Sequence, residues 1–129
     1  MGKVIAIILL IGIVGAAGFL ILQQSGTFNN LNSGDALCSD ANTPPLSFSV
    51  GSEISLSTVR ANNTIQSCFV IYEDKVYRIP ASWICEHPGG RNEIESRCGQ
   101  DVTFIFNQGQ HGKAEENQLS TYYIGELAD

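Results

Sequence analysis

The chain carries two histidines, His87 inside the run His87-Pro88-Gly89-Gly90 and His111, 24 residues further on. Imidazole nitrogens ligate many transition metals, and two of them on opposite sides of one iron leave no position open for a substrate. A centre closed in that way passes electrons rather than transforming a bound molecule. With each nitrogen about 2 Å from the metal, the pair stands roughly 4 Å apart, which admits nothing thicker than a flat macrocycle. Pro88 stops a helix so that His87 projects from its end. Gly89 and Gly90 let the backbone turn sharply there and come close to the edge of a bound ring.

Cysteine is the other ligand type present, as Cys38, Cys68, Cys85 and Cys98. Four cysteines suit a compartment where disulfides persist, although the count alone leaves three pairings, or none, open. Cys85 and Cys98 flank the His-Pro-Gly-Gly turn, and a bridge between them would staple the segments that shape it. Cys68, inside an apolar strand, reads as a buried thiol. A zinc site from Cys85, His87, Cys98 and His111 is the rival to iron, but its spacings of two, eleven and thirteen residues match no familiar ribbon or finger.

The elements that must position these residues follow from local pattern. Cys68-Phe69-Val70-Ile71-Tyr72 and Val76-Tyr77-Arg78-Ile79 read as two strands about the polar turn Glu73-Asp74-Lys75. Pro80 ends the second strand and opens a short helix, Ala81 to Glu86, that delivers His87. A second short helix is expected over Arg91 to Cys98, closed by Gly99. Asp101 caps a third over Val102 to Gln108, and Gly109 and Gly112 bracket His111. A polar helix near Ala114 to Ser120 and a short strand, Tyr122 to Ile124, close the chain. Trp83, Ile94, Ile105 and Phe106 are the apolar side chains that would wall a dry slot between the helix pairs.

Ahead of this domain, Val4 to Leu22 runs for nineteen residues without a charge. As a helix it spans roughly 28 Å, close to the ~30 Å hydrocarbon thickness of a bilayer. The run ends in Leu20-Ile21-Leu22-Gln23-Gln24 with no small-x-small cleavage pattern, which favours an uncleaved anchor over secretion after signal cleavage. Lys3 precedes it and the first charges beyond it are acidic, Asp35 and Asp40. Residues 1–3 are therefore expected in the cytoplasm and the globular part outside. Residues 23–52, rich in Ser, Asn, Gly, Thr and Pro, read as a flexible linker that lets residues 53–129 reach a partner. Asn62-Asn63-Thr64 fits a glycosylation acceptor.

The formal net charge is -6, with seven Lys and Arg. That argues against nucleic acid and anionic membrane surfaces, which require a basic face, and suits encounter with a basic patch on another protein.

At these residues the chain resembles the cytochrome b5 family. Val76-Tyr77, Trp83 four residues before His87, the intact His-Pro-Gly-Gly, Gly99-x-Asp101-x-Thr103, Phe106, His111 and Tyr123-Ile124-Gly125-Glu126-Leu127 fall where that family places its counterparts, and Cys68-Phe69-Val70 is similar to its Cys-Trp-Val strand. The likeness runs from about Glu53 to Leu127. It implies an α+β domain in which short helices form a haem slot on a small mixed sheet, here after one N-terminal transmembrane helix. It further implies non-covalent b-type haem held by His87 and His111, with Trp83, Pro88, Gly89, Gly90, Ile94, Ile105 and Phe106 around it, and one-electron transfer to a redox partner protein rather than catalysis. No Cys-x-x-Cys-His is present, so covalent attachment is not expected. The family usually has Gly before the second histidine and Ser after it, where this chain has Gln110 and Gly112; Lys113 or a backbone amide then stands in for the hydroxyl that often holds a propionate. A haem- or ligand-binding module that assembles or regulates a membrane complex is the alternative reading.

Overall fold

The computed structural model describes residues 36–129. The candidate membrane segment, residues 4–22, and the first part of the expected linker lie outside them. Among the described residues no helix is long and apolar enough to cross a membrane.

A mixed sheet forms the centre, built from β1 (Ser52–Ile54), β2 (Asn63–Thr64), β3 (Ser67–Tyr72), β4 (Lys75–Ile79), β5 (Gln100–Asp101) and β6 (Tyr123–Leu127). Its order is β1-β6-β4-β3-β2, with β5 paired parallel to β3. Strand β3 is apolar almost throughout because both of its faces are covered, and such a strand loses the alternation of a half-exposed one. Cys68, Val70 and Tyr72 enter one core with Tyr77, Ile79, Ile84, Val102 and Leu119. Phe69 and Ile71 enter a second core with Ile54, Val59, Val76 and Ile124. Glu73 and Asp74 both take positive φ, 49° and 62°, in the two-residue turn that joins β3 to β4.

Five short helices complete the domain: α1 (Leu56–Ala61), α2 (Ala81–Glu86), α3 (Arg91–Glu95), α4 (Thr103–Gln108) and α5 (Lys113–Ser120). The sequence pattern places α2 with its observed bounds. It foresees α3 three residues too long, since Ser96 to Gly99 form turns instead. It does not single out α1, whose apolar Val59 is fully buried and whose first turn is capped by the Ser55 hydroxyl accepting from the Thr58 amide. Helix α4 starts at Thr103 with Val102 at its N-cap, so Asp101 sits one residue before the cap, where its carboxylate accepts from the Thr103 amide at 2.9 Å.

Three expectations are corrected. The disulfides are Cys38–Cys85 and Cys68–Cys98, so the bridge expected between Cys85 and Cys98 does not form, and Cys68 is buried as a disulfide half rather than as a thiol. Cys98 ends the α3 region with its Cα 4.8 Å from that of Cys68 on β3, whereas Cys85, on α2, meets a chain segment that precedes the domain. By composition that segment reads as linker. Its described part, residues 36–51, is instead tied down by Cys38, by Asp40 and by Leu46 and Phe48 packing on the second core. Few anchoring side chains suffice to dock a chain whose average composition is that of a tether.

Candidate functional site

His87 is the C-terminal cap of α2, with extended backbone (φ -57°, ψ 128°), and Pro88 prevents the helix from continuing. The chain then closes a turn through the Gly90 amide, which donates to the His87 carbonyl at 2.8 Å. The two glycines serve different needs. Gly90 has φ 96°, which side-chain-bearing residues rarely adopt, while a Cβ on Gly89 would stand 3.0 Å from Cε1 of His87.

His111 arrives from the other pair of helices, after α4 and before α5. Its ring stacks on Phe106, centroids 4.2 Å apart and planes within 5°, and Phe106 lies 4.8 Å from Tyr72 of β3. The Phe106 carbonyl is 3.0 Å from Nδ1 of His111. A carbonyl only accepts, so Nδ1 carries the proton and Nε2 keeps its lone pair. Glu115 steadies the start of α5: its carboxylate accepts from the Gly112 amide at 2.7 Å, and that bond, with a second from its own backbone amide, holds its pKa below the ordinary carboxylate value. A depressed carboxylate stabilises the fold above its unfolded pKa and loses that contribution as pH falls through the folded value, so this cap is intact at neutral pH.

The fold brings the two imidazoles together, with ring centroids 6.5 Å apart and planes inclined by 37°. Two nitrogens on one metal stand roughly 4 Å apart, which with about 1.1 Å from each nitrogen to its own ring centre gives about 6.2 Å. The spacing therefore fits a shared metal. At His87 the Gly89 amide donates to Nδ1 at 3.2 Å, which leaves the proton on Nε2. Ligation through Nε2 needs the other tautomer, and hence a turn of the ring away from that amide. The zinc alternative fails on chemistry, because Cys85 and Cys98 are both oxidised into disulfides and supply no thiolate. Among the described residues no group of three or more His, Cys, Asp or Glu is placed to hold a metal ion.

The expected wall residues divide. Trp83 meets His87 edge-on at 6.3 Å, and Trp83, Ile94 and Phe106 pack half-buried against the first core. Ile105 is 42% exposed, and its neighbour Phe104, which sequence reasoning passes over, is 74% exposed. Pro88 is exposed beside the histidine. Lys113 opens α5 with a side chain 87% exposed, its ammonium 3.9 Å from the Glu116 carboxylate. Gly109 reads in the sequence only as a bracket; a Cβ there would lie 2.5 Å from Nδ1 of His111 and 2.8 Å from Cε1. Gly109→Ala is therefore expected to displace the His111 ring and break its bond to Phe106, with a shift of the His111 Cε1 proton resonance as the measured sign.

Comparison with known proteins identifies the family of the domain. The family described as "Cytochrome b5-like Heme/Steroid binding domain" matches residues 55–128. Cytochrome b5 isoform B of Arabidopsis thaliana is 31% identical over 72 residues, 56% of this chain and 53% of that protein. A cytochrome B5-like protein of the same plant is 40% identical over 73 residues, 57% of this chain and 59% of that protein. The chain thus spans about half the length of the curated cytochrome b5 relatives it matches, and in the nitrate reductase of Volvox carteri a 37% identical stretch makes up 8% of the protein. Among solved structures, the cytochrome b5 of Ostreococcus tauri virus 2 superposes with a TM-score of 0.53 at 26% identity, covering 60% of this chain and 98% of that one. Cytochrome b558 of Ectothiorhodospira vacuolata, at 23% identity and TM-score 0.53, shares the fold. The chain belongs to the cytochrome b5-like family, whose domains bind b-type haem without covalent attachment.

Proposed function

We propose that this protein is a membrane-tethered electron carrier whose haem iron is held by His87 and His111. The observation that carries the reading is the pair of imidazoles facing each other at 6.5 Å, one presented by each of two helical pairs. Haem supplies a one-electron centre when bound. His87 and His111 would hold it through their ring nitrogens, and Trp83, Ile94 and Phe106, half-buried against the first core, would shield it from water. Two ligands on the iron leave it closed to substrate, which favours transfer to a separate protein over catalysis. Lys113 is free to turn toward a propionate, since its pairing with Glu116 is long and solvent-screened.

The reading extends to place and partner. The nineteen-residue apolar run at 4–22 is long enough to anchor the chain, with the N-terminus in the cytoplasm and the domain outside. Both disulfides accord with an oxidising compartment. Exposed Glu86, Glu93, Glu115 and Glu116 lie on the helices that carry or flank the two histidines, an acidic rim suited to a basic patch on the redox partner.

The test is the absorption spectrum of the full chain in detergent with added hemin. A low-spin, six-coordinate spectrum that shifts reversibly on one-electron reduction is the expected result. Haem that stays five-coordinate, or fails to bind, overturns the reading.

A further inference from the structure

The helix that presents His87 has weak local means of holding its own ends. Pro80 occupies the N-cap of α2 and makes no side-chain cap bond, so the helix starts with an unanswered amide. That amide is satisfied from 42 residues away: Ser82 donates its backbone N–H to Asp40 at 3.1 Å and its hydroxyl to the other carboxylate oxygen at 2.6 Å. At the opposite end, Cys85 is bonded to Cys38, two residues before His87. One short segment thus grips both ends of one helix.

The same segment is fastened along its length to the sheet. The Leu37 carbonyl accepts from the Gln66 side chain at 2.5 Å, the Pro44 carbonyl accepts from the Arg78 guanidinium, and Phe48 packs edge-on against Phe69 at 6.3 Å. Between Cys38 and Phe48 its regular structure is one turn of 3-10 helix, Asp40–Asn42. The seam is imperfect in polar terms, since among the described residues the buried side-chain atoms without a partner are Thr43 Oγ1, Gln66 Oε1 and Arg78 Nε, all in the segment or on residues that touch it. A seam of this kind gains little from hydrogen bonding alone, which leaves the covalent link at Cys38 and the cap at Asp40 as its principal holds.

We propose that residues 38–48 form a strap that fixes the orientation of α2, and that Cys38 and Asp40 are positioning residues for His87. This rests on the reading of His87 as an iron ligand. The physical reason is that α2 is six residues long, too short to be stable by itself, and any fraying of its last turn moves the imidazole that follows it. Residues that orient a metal ligand commonly change affinity by about 10–100-fold when removed.

The experiment compares the full chain with Asp40→Ala, Asp40→Asn and the double variant Cys38→Ser with Cys85→Ser. In the haem-free proteins, amide hydrogen exchange is read at Ile84 and Glu86 of α2, and at Val70 and Tyr77 of the central strands. The expected result is exchange about tenfold faster in α2 than in the strands for Asp40→Ala and for the double variant, whose strands also quicken because it opens a closed span of 47 residues, with Asp40→Asn close to wild type because it keeps an acceptor for Ser82. In the haem-loaded proteins, haem loss to an excess acceptor apoprotein should quicken by about tenfold in the same two variants. Exchange and haem loss within twofold of wild type in both would overturn the strap's role, as would equal acceleration in α2 and the strands, which marks general destabilisation. A wild-type protein without six-coordinate haem would instead refute the ligand reading, and hydrogen exchange in the haem-free protein would still decide the strap.

Discussion

Replacement of His111 with alanine should abolish the low-spin spectrum of the haem-loaded protein while leaving the haem-free fold nearly as stable as before. His111 is exposed, and its contacts are one hydrogen bond to the Phe106 carbonyl and a stacked face against Phe106. Removing a surface side chain of that kind costs about 0.5–1.5 kcal/mol, the worth of an aromatic pair, which moves the melting temperature by a few degrees. Haem affinity responds on another scale. Residues that merely orient a ligand are worth about 10–100-fold, so losing the ligand itself is expected to weaken binding by more than about 100-fold. His87→Ala should behave alike, since His87 touches Trp83 edge-on and sits outside the packed core. Hemin titration followed by absorption, paired with thermal melts of the haem-free variants, separates the two scales. Retention of a six-coordinate spectrum by either variant would refute the two-histidine assignment.

The largest effect on stability is expected at the Cys68–Cys98 bridge. It closes a separation of 30 residues, and the loss of loop-closure entropy in the unfolded chain is worth about 3–4 kcal/mol for a loop of that size. Both sulfur-bearing residues are buried, Cys68 completely, so replacement also leaves a packing defect beneath α3. For a domain of this size each kcal/mol corresponds to roughly 4–8 °C, and Cys68→Ala with Cys98→Ala should therefore lower the midpoint by roughly 12–32 °C. Scanning calorimetry of the haem-free protein measures it. A fall of less than about 5 °C would mean that the folded state relaxes enough to offset the lost constraint.

The same buried bridge marks where local pattern stops short. Cys85 and Cys98 are close in sequence and lie on either side of a tight turn, so proximity makes them the natural pair. In space, the turn at Gly89 and Gly90 and the helix α3 carry Cys98 onto β3, beside Cys68, while Cys85 faces away from it toward the strap. Disulfide pairing depends on Cα separations below about 7 Å, a property of the folded arrangement that spacing along the chain does not encode. Asp40 is equally hidden. A carboxylate that caps a helix 42 residues away leaves no local signal, whereas the bond Asp101 makes to the Thr103 amide two residues on is a local matter.

The glycines show both sides within one site. Gly89 and Gly90 follow a proline after a histidine, and the need for a sharp turn there is a local matter that backbone sterics dictate. Gly109 is required because the His111 ring folds back over it, a contact made only once Phe106 has fixed the imidazole by stacking.

The amino-acid sequence by itself determined the two histidines as the chemically able pair, the strands about Glu73-Asp74, the bounds of α2 and the family to which the domain belongs. Each of these rests on short-range rules: alternation along a strand, proline and glycine at helix ends, and motif residues at fixed spacing. Only the tertiary structure decided which cysteines pair, that residues 38–48 are docked rather than free, and that the imidazoles stand 6.5 Å apart. Those are distances between residues remote in sequence, set by packing on the two faces of β3, and no local pattern in the chain carries them.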